Sequence, residues 1–183
     1  HESFSYFTNI LQVRGKLGNV SGVLLDLGVS SPQLDQAQRG FSFMNNGPLD
    51  MRMNTSAGPT AAEWIAASDQ NELTETFRNL GEEKYANRIA KSIINSRAQQ
   101  PITTTQQLAA IVSQAHPNWQ KGKHPATKVF QAIRIRVNNE LNDLEHLLAS
   151  VLKTLKIGGR LVVISFHSLE DRRVKKFIRD QER

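Results

Sequence analysis

An apolar run that ends on a carboxylate and then breaks into a turn decides the fold of this chain: Val23-Leu24-Leu25-Asp26-Leu27-Gly28-Val29-Ser30-Ser31-Pro32-Gln33-Leu34. The first half has the length and composition of a buried β-strand, whereas the glycine, paired serines and proline of the second half do not continue one. Open α/β sheets bind their ligands beyond the carboxyl ends of their strands. The stretch therefore predicts a ligand site at Asp26; the alternative is a core strand whose Asp26 only caps the next turn.

The composition of the 183 residues, with 39% hydrophobic and 22% charged residues, is that of a globular protein. Because there is no cysteine, disulfides, thiolate metal sites and a cysteine nucleophile are excluded. Separately, we name no metal-binding residues in this sequence. No apolar run approaches the roughly 20 residues of a membrane span, and no signal-peptide pattern opens the chain. We therefore expect no membrane partner and a cytoplasmic location.

The net charge of +6 favours a polyanionic partner such as nucleic acid. The alternative is a merely basic soluble protein.

The remaining periodicities predict a chain of helices between two strands. In order, they indicate a helix at 4–13, the strand at about 20–26, a loop from 30 to 59, helices opening at Thr60, Asp69, Glu82 and Thr104, a basic linker at 121–124, one long or two abutting helices over 129–155 closed by Gly158-Gly159, a strand at 160–165 and a helix capped by Ser168.

Two apolar strands that are far apart in the chain suit neighbouring parallel strands with helices between them. We therefore predict an α/β fold in which the two strands lie side by side and the residues between them form a helical insertion. Two strands do not make a stable sheet alone, so we expect further strands before His1 and after Arg183. Since parallel neighbours end together, His167 is expected to face the same cleft as Asp26.

Several blocks of the sequence resemble, in the same order, the ribosomal RNA small subunit methyltransferase H family, also called MraW. The blocks are LLDLGVSSPQLD (24–35), RGFSF (39–43), GPLDMRM (47–53), AAEW (61–64), GEE (81–83), RIA (88–90), HPAT (124–127), FQAIR (130–134) and ISFHSLEDR (164–172). The family's glycine-rich loop ending in Gly-Gly-His and its C-terminal strands have no counterpart in this sequence. The chain therefore resembles the central portion of the family.

The resemblance implies a class I methyltransferase that uses S-adenosylmethionine to methylate the N4 amine of a cytosine in the decoding region of 16S rRNA. It also implies that residues 1–35 and 125–183 form part of a Rossmann-like sheet and that 36–124 form an inserted all-helical domain for substrate recognition. The implied partner is the small ribosomal subunit; the oligomeric state is left open, with a dimer among the options. Two alternatives stay open at this point. One is a non-catalytic RNA-binding protein; the other is a DNA amine methyltransferase, which the lack of the usual two-proline motif disfavours.

The resemblance further implies that Phe4, Asp26 and Gln33 line the S-adenosylmethionine pocket. A carboxylate complements the positive charges of the cofactor, and Gln33 offers both a donor and an acceptor to its methionine part. The Phe4 ring offers a face for the adenine, the alternative being a core contact of its own helix.

Methyl transfer to a cytosine amine requires acceptors that hold the amine in line with the methyl group. For this catalytic role we expect Asp26, Ser30 and Asp50. Asp50 lies with Arg52 in the loop Pro-Leu-Asp-Met-Arg-Met, where both residues are interpreted either as a lid over the base pocket or as an internal salt bridge.

The other expected substrate-binding residues are Trp64, His124, Arg134 and His167. Trp64 is interpreted either as a stacking surface for a flipped base or as a residue packed in the core. His124 and Arg134 belong to a helix whose start would bind a phosphate, the alternative being a solvated face. His167 is a minor candidate for a proton acceptor. Five cations between 172 and 179 suggest phosphate contacts or, again, a solvated face.

Overall fold

The structure is a computed structural model that describes residues 2–117 and 124–182. The predicted basic linker at 121–124 lies outside these residues except for His124. In chain order, the elements are a short 3-10 turn Phe4–Tyr6, α1 Phe7–Val13, β1 Val20–Asp26, α2 Ser31–Asp35, a 3-10 turn Ala37–Arg39, α3 Ala61–Ala67, α4 Gln70–Gly81, α5 Ala86–Gln99, α6 Thr105–Ala115, α7 Ala126–Val137, α8 Glu140–Val151, β2 Leu155–Ile164 and α9 Ser168–Gln181.

The chain divides into two compact units, one of residues 1–28 and 139–183 and one of residues 29–138. We call them the sheet unit and the helical unit. The predicted insertion at 36–124 falls within the helical unit, but α7, which the prediction assigned to the sheet domain, is part of the helical unit. The domain assignment itself stays a prediction.

The sheet unit is built on a parallel pair of strands, β1 and β2, in which Leu24 faces Val162 and Asp26 faces Ile164. Alternate β1 residues, Val23 and Leu25, are buried against the apolar side of α8, as the two-residue period of a strand requires. The predicted α/β class with a partial parallel sheet is confirmed.

The other side of this sheet remains open in the described residues. Leu24 and Val162 are 66% and 51% exposed, and Ile164 is also exposed. Apolar side chains on both faces are typical of parallel strands, because such strands are normally covered on both sides. One face of the sheet therefore has the composition of a core without being covered.

The predicted helix C-cap at Gly158-Gly159 is wrong. Both glycines lie inside β2, where the register with β1 shifts between Val20 and Gly22. Gly158 has a φ of +79°, which glycine adopts without strain. The preceding helix, α8, ends at Val151.

The helical unit contains α2 to α7, which pack around one apolar core that includes Leu73, Phe77, Ile89 and Ile133. The predicted N-caps are confirmed: Thr60 and Asp69 accept hydrogen bonds from the backbone N–H of Glu63 and Glu72, and Thr104 caps α6. These bonds satisfy donors that a helix start leaves unpaired.

Two predicted helix boundaries differ from the structure. The third helix begins at Ala86 and not at Glu82, because Glu82 adopts a φ of +50° and ends the preceding helix. The long periodic run over 129–155 forms two helices, α7 and α8, which are separated at Asn138 and Asn139; Asn139 has a φ of +54°. Asn tolerates this left-handed conformation better than most residues. No helix in the described ranges is long and apolar enough to cross a membrane.

Candidate functional site

The carboxyl ends of β1 and β2 meet at one edge, as the sequence predicts. Asp26 is the last residue of β1 and pairs with Ile164, and the next amide, Leu27 N, donates to the Ile164 carbonyl at 3.1 Å. Asp26 is exposed, whereas Leu27 returns to the core. Gly28 then turns the chain with a φ of +86°. The edge thus presents a carboxylate to solvent from a fixed backbone.

His167 follows β2 at the same edge, but its side chain is not exposed beside Asp26. The imidazole is only 10% exposed, and its Nε2 lies 3.2 Å from Oε1 of the buried Glu170. The expectation that His167 opens into the cleft is therefore not met. A buried position does not suit a residue that would contact RNA.

The cap of α9 also differs from the prediction. His167, and not Ser168, is the N-cap residue, and Glu170 reaches back to accept from the backbone N–H groups of Phe166 and His167 at 2.9 and 3.4 Å. Burial alone would raise the pKa of Glu170, but the neighbouring His167 imidazole and the hydrogen bonds from the backbone N–H groups of Phe166 and His167 outweigh burial and hold this pKa below its usual value.

Phe4 belongs to a 3-10 turn that is fastened to α8. Ser3 Oγ donates to the Asp143 carboxylate, and Thr8 Oγ1 donates to Ser150 Oγ at 2.7 Å. The Phe4 side chain nevertheless stays 37% exposed. The alternative that Phe4 is a core contact does not describe it, and a ring face remains accessible.

In the helical unit, Ser30 and Gln33 form the capping box of α2. The Gln33 Oε1 atom accepts from Ser30 N at 2.8 Å and from Ser30 Oγ at 3.2 Å. This arrangement occupies the amide oxygen of Gln33 but leaves Ser30 exposed. The acceptor of Gln33 is therefore committed to the helix start.

Asp50 and Arg52 form the internal salt bridge that was one of their two interpretations. Arg52 Nε and Nη2 donate to the two Asp50 carboxylate oxygens at 2.8 Å each, and Arg52 N donates to Oδ1 at 3.0 Å. The hydrogen bonds from Arg52 lower the pKa of Asp50, and Asp50 in turn raises the pKa of Arg52. Asp50 is thus ionised, but both its oxygens already have a partner.

The backbone around this salt bridge is tightly fixed. Met51 is fully buried at a φ of +61°, a conformation that is uncommon for residues other than glycine. Its N–H donates to the Arg39 carbonyl at 3.0 Å and its carbonyl accepts from Asn138 Nδ2 at 2.7 Å. Arg39 Nη2 donates to the Arg52 carbonyl at 2.9 Å. The loop is therefore rigid within the helical unit.

Two glycines allow this loop to pack closely. A Cβ atom on Gly40 would lie 2.4 Å from the Pro48 carbonyl oxygen, and one on Gly47 would lie 1.9 Å from the Ala37 carbonyl oxygen. Gly40 also has a φ of +73°. Only glycine fits at either position, because the neighbouring atoms are backbone.

Trp64 is a core residue. It is 8% exposed, and its Nε1 donates to Glu72 Oε1 at 3.0 Å. Burial alone would raise the pKa of Glu72, but the bonds from Trp64 and Arg136 lower it overall. The core-packing interpretation is the one that describes Trp64, since its ring presents no open face for a base.

His124 and Arg134 lie on α7 or at its start. His124 Nδ1 accepts from the Ala126 N–H at 3.1 Å, and the imidazole stacks on Phe43 with the ring centroids 4.4 Å apart. Arg134 is partly buried in the last turn of the helix. The imidazole of His124 thus takes one of the donors that a phosphate would need at this helix start.

The cations of α9 are mostly paired along the surface. Arg173 Nε donates to Glu145 at 2.6 Å, Lys175 lies 2.9 Å from Asp171 and Lys176 lies 3.5 Å from Asp180. Such exposed pairs contribute little to stability and are easily exchanged. The helix therefore offers a charged, solvated face that a polyanion can still compete for.

A cavity of about 560 Å³ lies within the helical unit, apart from the predicted site residues. It is bounded by α3, α5 and the segment 101–103, with Ile65, Ile94 and Ile102 among its walls and Glu63 and Arg97 at its polar positions. The Thr60 N–H lowers the pKa of Glu63. None of the predicted site residues lines this cavity.

The sequence reasoning assigned no role to Glu170, Glu140, Arg39 or Asn138. Glu170 stands three residues after His167, a spacing that could have signalled a capping pair. Glu140 joins them only through the fold, with one donor atom of each residue within 4.8 Å of the others. Nothing in the local sequence marks Arg39 or Asn138 as the residues that hold the loop around Met51.

Curated proteins match this chain along its whole length. The chain is 56% identical over 183 residues to the ribosomal RNA small subunit methyltransferase H of Chromohalobacter salexigens, covering all of this chain and 55% of that protein. It is 57% identical over 182 residues to the proteins of the same name from Legionella pneumophila strains Paris and Philadelphia 1, covering 59% of each. The chain thus spans little more than half the length of these curated relatives. Because the profile of the MraW methylase family matches residues 1–183, the chain belongs to the MraW methylase family.

Proposed function

We propose that this chain is the central part of an enzyme that transfers a methyl group from S-adenosylmethionine to the N4 amine of a cytosine in the decoding region of 16S rRNA. The observation that carries the proposal is the parallel pairing of β1 with β2, which fixes Asp26 at a strand end with its side chain exposed. Ligands of open α/β sheets bind at such edges. The proposed partner is the small ribosomal subunit in the cytoplasm, in keeping with the net charge of +6.

The side chains of the sheet unit fit the proposed cofactor. S-adenosylmethionine supplies an electrophilic methyl group when it is bound. The exposed Asp26 carboxylate offsets positive charge, and the accessible Phe4 ring offers a face for adenine. Asp26 also accepts a hydrogen bond from an amine held at the same edge. In this role it stabilises the positive charge that develops on the amine nitrogen.

Within the helical unit, Ser30 and Gln33 contribute polar groups at the turn that begins α2. By their chemistry, the Gln33 amide N–H groups suit a carboxylate group, and the exposed Ser30 hydroxyl can accept a hydrogen bond from an amine. Arg52 and Asp50 position the Met51 loop for RNA, and Asp50 is not expected to accept directly because Arg52 occupies both its oxygens. Arg134 and the α9 cations supply phosphate contacts.

The decisive experiment uses the complete protein and measures methyl transfer to small ribosomal subunits together with RNA affinity. Asp26→Asn keeps the size of the side chain and removes its charge. We expect methylation to fall by about 10²-fold or more, the loss typical of a transition-state contact, with RNA affinity unchanged. Glu75→Gln, which neutralises an exposed acid on α4, serves as the matched control and should behave like the native protein.

The other outcomes identify the alternatives. Full methylation by Asp26→Asn would contradict its proposed role. RNA binding by the native complete protein without any methyl transfer would favour the non-catalytic RNA-binding alternative. Transfer to DNA in preference to small ribosomal subunits would favour the DNA amine methyltransferase.

A further inference from the structure

We propose that Glu140, His167 and Glu170 form a binding site for a divalent transition-metal ion, with Zn²⁺ as the preferred ion. One donor atom from each residue lies within 4.8 Å of the other two. The three residues come from the starts of two helices of the sheet unit: Glu140 is the first residue of α8, and His167 and Glu170 open α9. This site departs from the expectation that the chain has no metal-binding residues.

The state of the His167 imidazole points to a missing partner. Its side chain is nine-tenths buried, yet neither Nδ1 nor Nε2 makes a hydrogen bond with any of the residues that the structure describes. The Glu170 oxygen lies near Nε2 without the alignment of a hydrogen bond. Buried polar atoms of this kind are rare because each costs free energy. A metal bound to one nitrogen would supply the partner.

The distance between the two nearest donors suits zinc. His167 Nε2 and Glu170 Oε1 are 3.2 Å apart. Two ligands that bind zinc at about 2.0–2.2 Å in a tetrahedral arrangement lie roughly 3.3–3.6 Å apart. The third donor, from Glu140, lies within 4.8 Å of both and would have to move closer to complete the set.

The orientation of Glu170 is already fixed for such a role. Its Oε2 atom accepts from the N–H groups of Phe166 and His167 at 2.9 and 3.4 Å, which leaves Oε1 directed at the imidazole. Hydrogen bonds that orient a ligating carboxylate are a regular part of metal sites. Glu140 takes part in another interaction within the chain, and a carboxylate has enough lone pairs to bind an ion as well.

The donor set selects among metals. One imidazole and two carboxylates supply three ligands of types that zinc accepts and leave a fourth position for water, whereas Mg²⁺ is bound through oxygen ligands. Zn²⁺ should also bind more tightly than Mn²⁺. An ion here would link the start of α8 to the start of α9 immediately after β2. It would therefore position the edge of the sheet, independently of the proposed methyl transfer.

The test is calorimetric titration of the full chain with Zn²⁺, Mn²⁺ and Mg²⁺ separately. We expect Zn²⁺ to bind most tightly, and His167→Gln to weaken that binding by more than about tenfold, since even residues behind the ligands change affinity by about 10–100-fold. His146→Gln removes an exposed histidine from α8 and should leave the affinity unchanged. The absence of Zn²⁺ binding, or equal binding by the native chain and His167→Gln, would overturn the site in favour of a plain imidazole–carboxylate pair.

A second measurement covers the case in which His167→Gln does not fold, as judged by circular dichroism. The visible absorption of bound Co²⁺ reports its ligands directly. Glu170→Gln keeps an oxygen that accepts from the Phe166 N–H, and Glu140→Gln keeps the shape of its side chain. Both should change the Co²⁺ spectrum and weaken binding. Spectra identical to that of the native chain in both variants would overturn the proposal.

Discussion

The helical unit and the sheet unit differ in how completely they bury their apolar residues. In the helical unit, Phe77, Ile89 and Ile133 have no exposed surface, and helices surround one continuous core. In the sheet unit, one face of the strand pair is buried against α8, while Leu24 and Val162 on the other face are exposed. Since apolar burial is the main source of stability, the helical unit should be the more stable part of the described chain.

The largest expected effect comes from a core deletion in the helical unit. Phe77→Ala should lower the free energy of unfolding by about 3–5 kcal/mol, because it leaves a cavity in a packed core. Phe166→Ala in the sheet unit, where the ring is 70% exposed, should change it by less than about 0.5 kcal/mol. Urea denaturation measures both, and similar losses would contradict the contrast between the units.

A matched pair of glycine substitutions gives the next largest difference. Gly47→Ala places a Cβ atom against the Ala37 backbone and should cost about 1–3 kcal/mol, the range for forced overpacking. Gly158→Ala meets no atom within 4 Å, so only its positive φ costs energy, about 1–2 kcal/mol. Thermal unfolding measures the stability of both variants. A larger loss of stability for Gly158→Ala would show that the backbone around Gly47 can shift to accept a Cβ atom.

The helix caps should show a smaller effect. Thr60→Ala removes the capping box of α3 and should cost about 1 kcal/mol. Ser3→Ala removes a cap from a three-residue turn of the sheet unit, so it should mainly increase local opening. Hydrogen exchange separates the two results: protection should fall throughout the helical unit for Thr60→Ala, and only near residues 3–8 for Ser3→Ala.

The smallest expected effect is the dependence of stability on pH. The pKa of Asp50 lies below its ordinary value of 3.8, so the folded state binds this proton less readily than the unfolded state. Its contribution to stability is therefore complete above about pH 4 and is lost as the pH falls through the folded-state pKa. The contribution should be below about 1 kcal/mol, because the pair is partly solvated.

Arg52→Gln tests this dependence, because it removes the partner that lowers the Asp50 pKa. Stability below pH 4 should then change less steeply than in the native chain. Arg78→Gln, which replaces an exposed arginine on α4, is the control and should keep the native slope. Parallel slopes for both variants would mean that the loop salt bridge has no measurable linkage to folding.

The N-caps of α3, α4 and α6 and the strand at 20–26 could be predicted because their signals are local. Thr60 with Glu63, and Thr104 with Gln107, lie one helical turn apart, so the bond that forms can be inferred from spacing alone. The break between α7 and α8 could not be placed in this way, because the apolar period continues through it and only the left-handed Asn139 shows the interruption. The site was predictable to the same extent: Asp26 at a strand end follows from local pattern, whereas Asp50 and Arg52 left two interpretations open.

The sequence by itself determined the family, the α/β class and the placement of Asp26 at the end of a strand, because blocks of residues and alternating apolar positions specify these without reference to distant partners. The tertiary structure alone decided that His167 turns into the sheet unit beside Glu140 and Glu170, that Trp64 is buried against Glu72 and that Met51 is held by Arg39 and Asn138. The physical reason is the separation of the interacting residues along the chain. Hydrogen-bond partners separated by many residues are selected by how the elements pack, and packing depends on the whole chain.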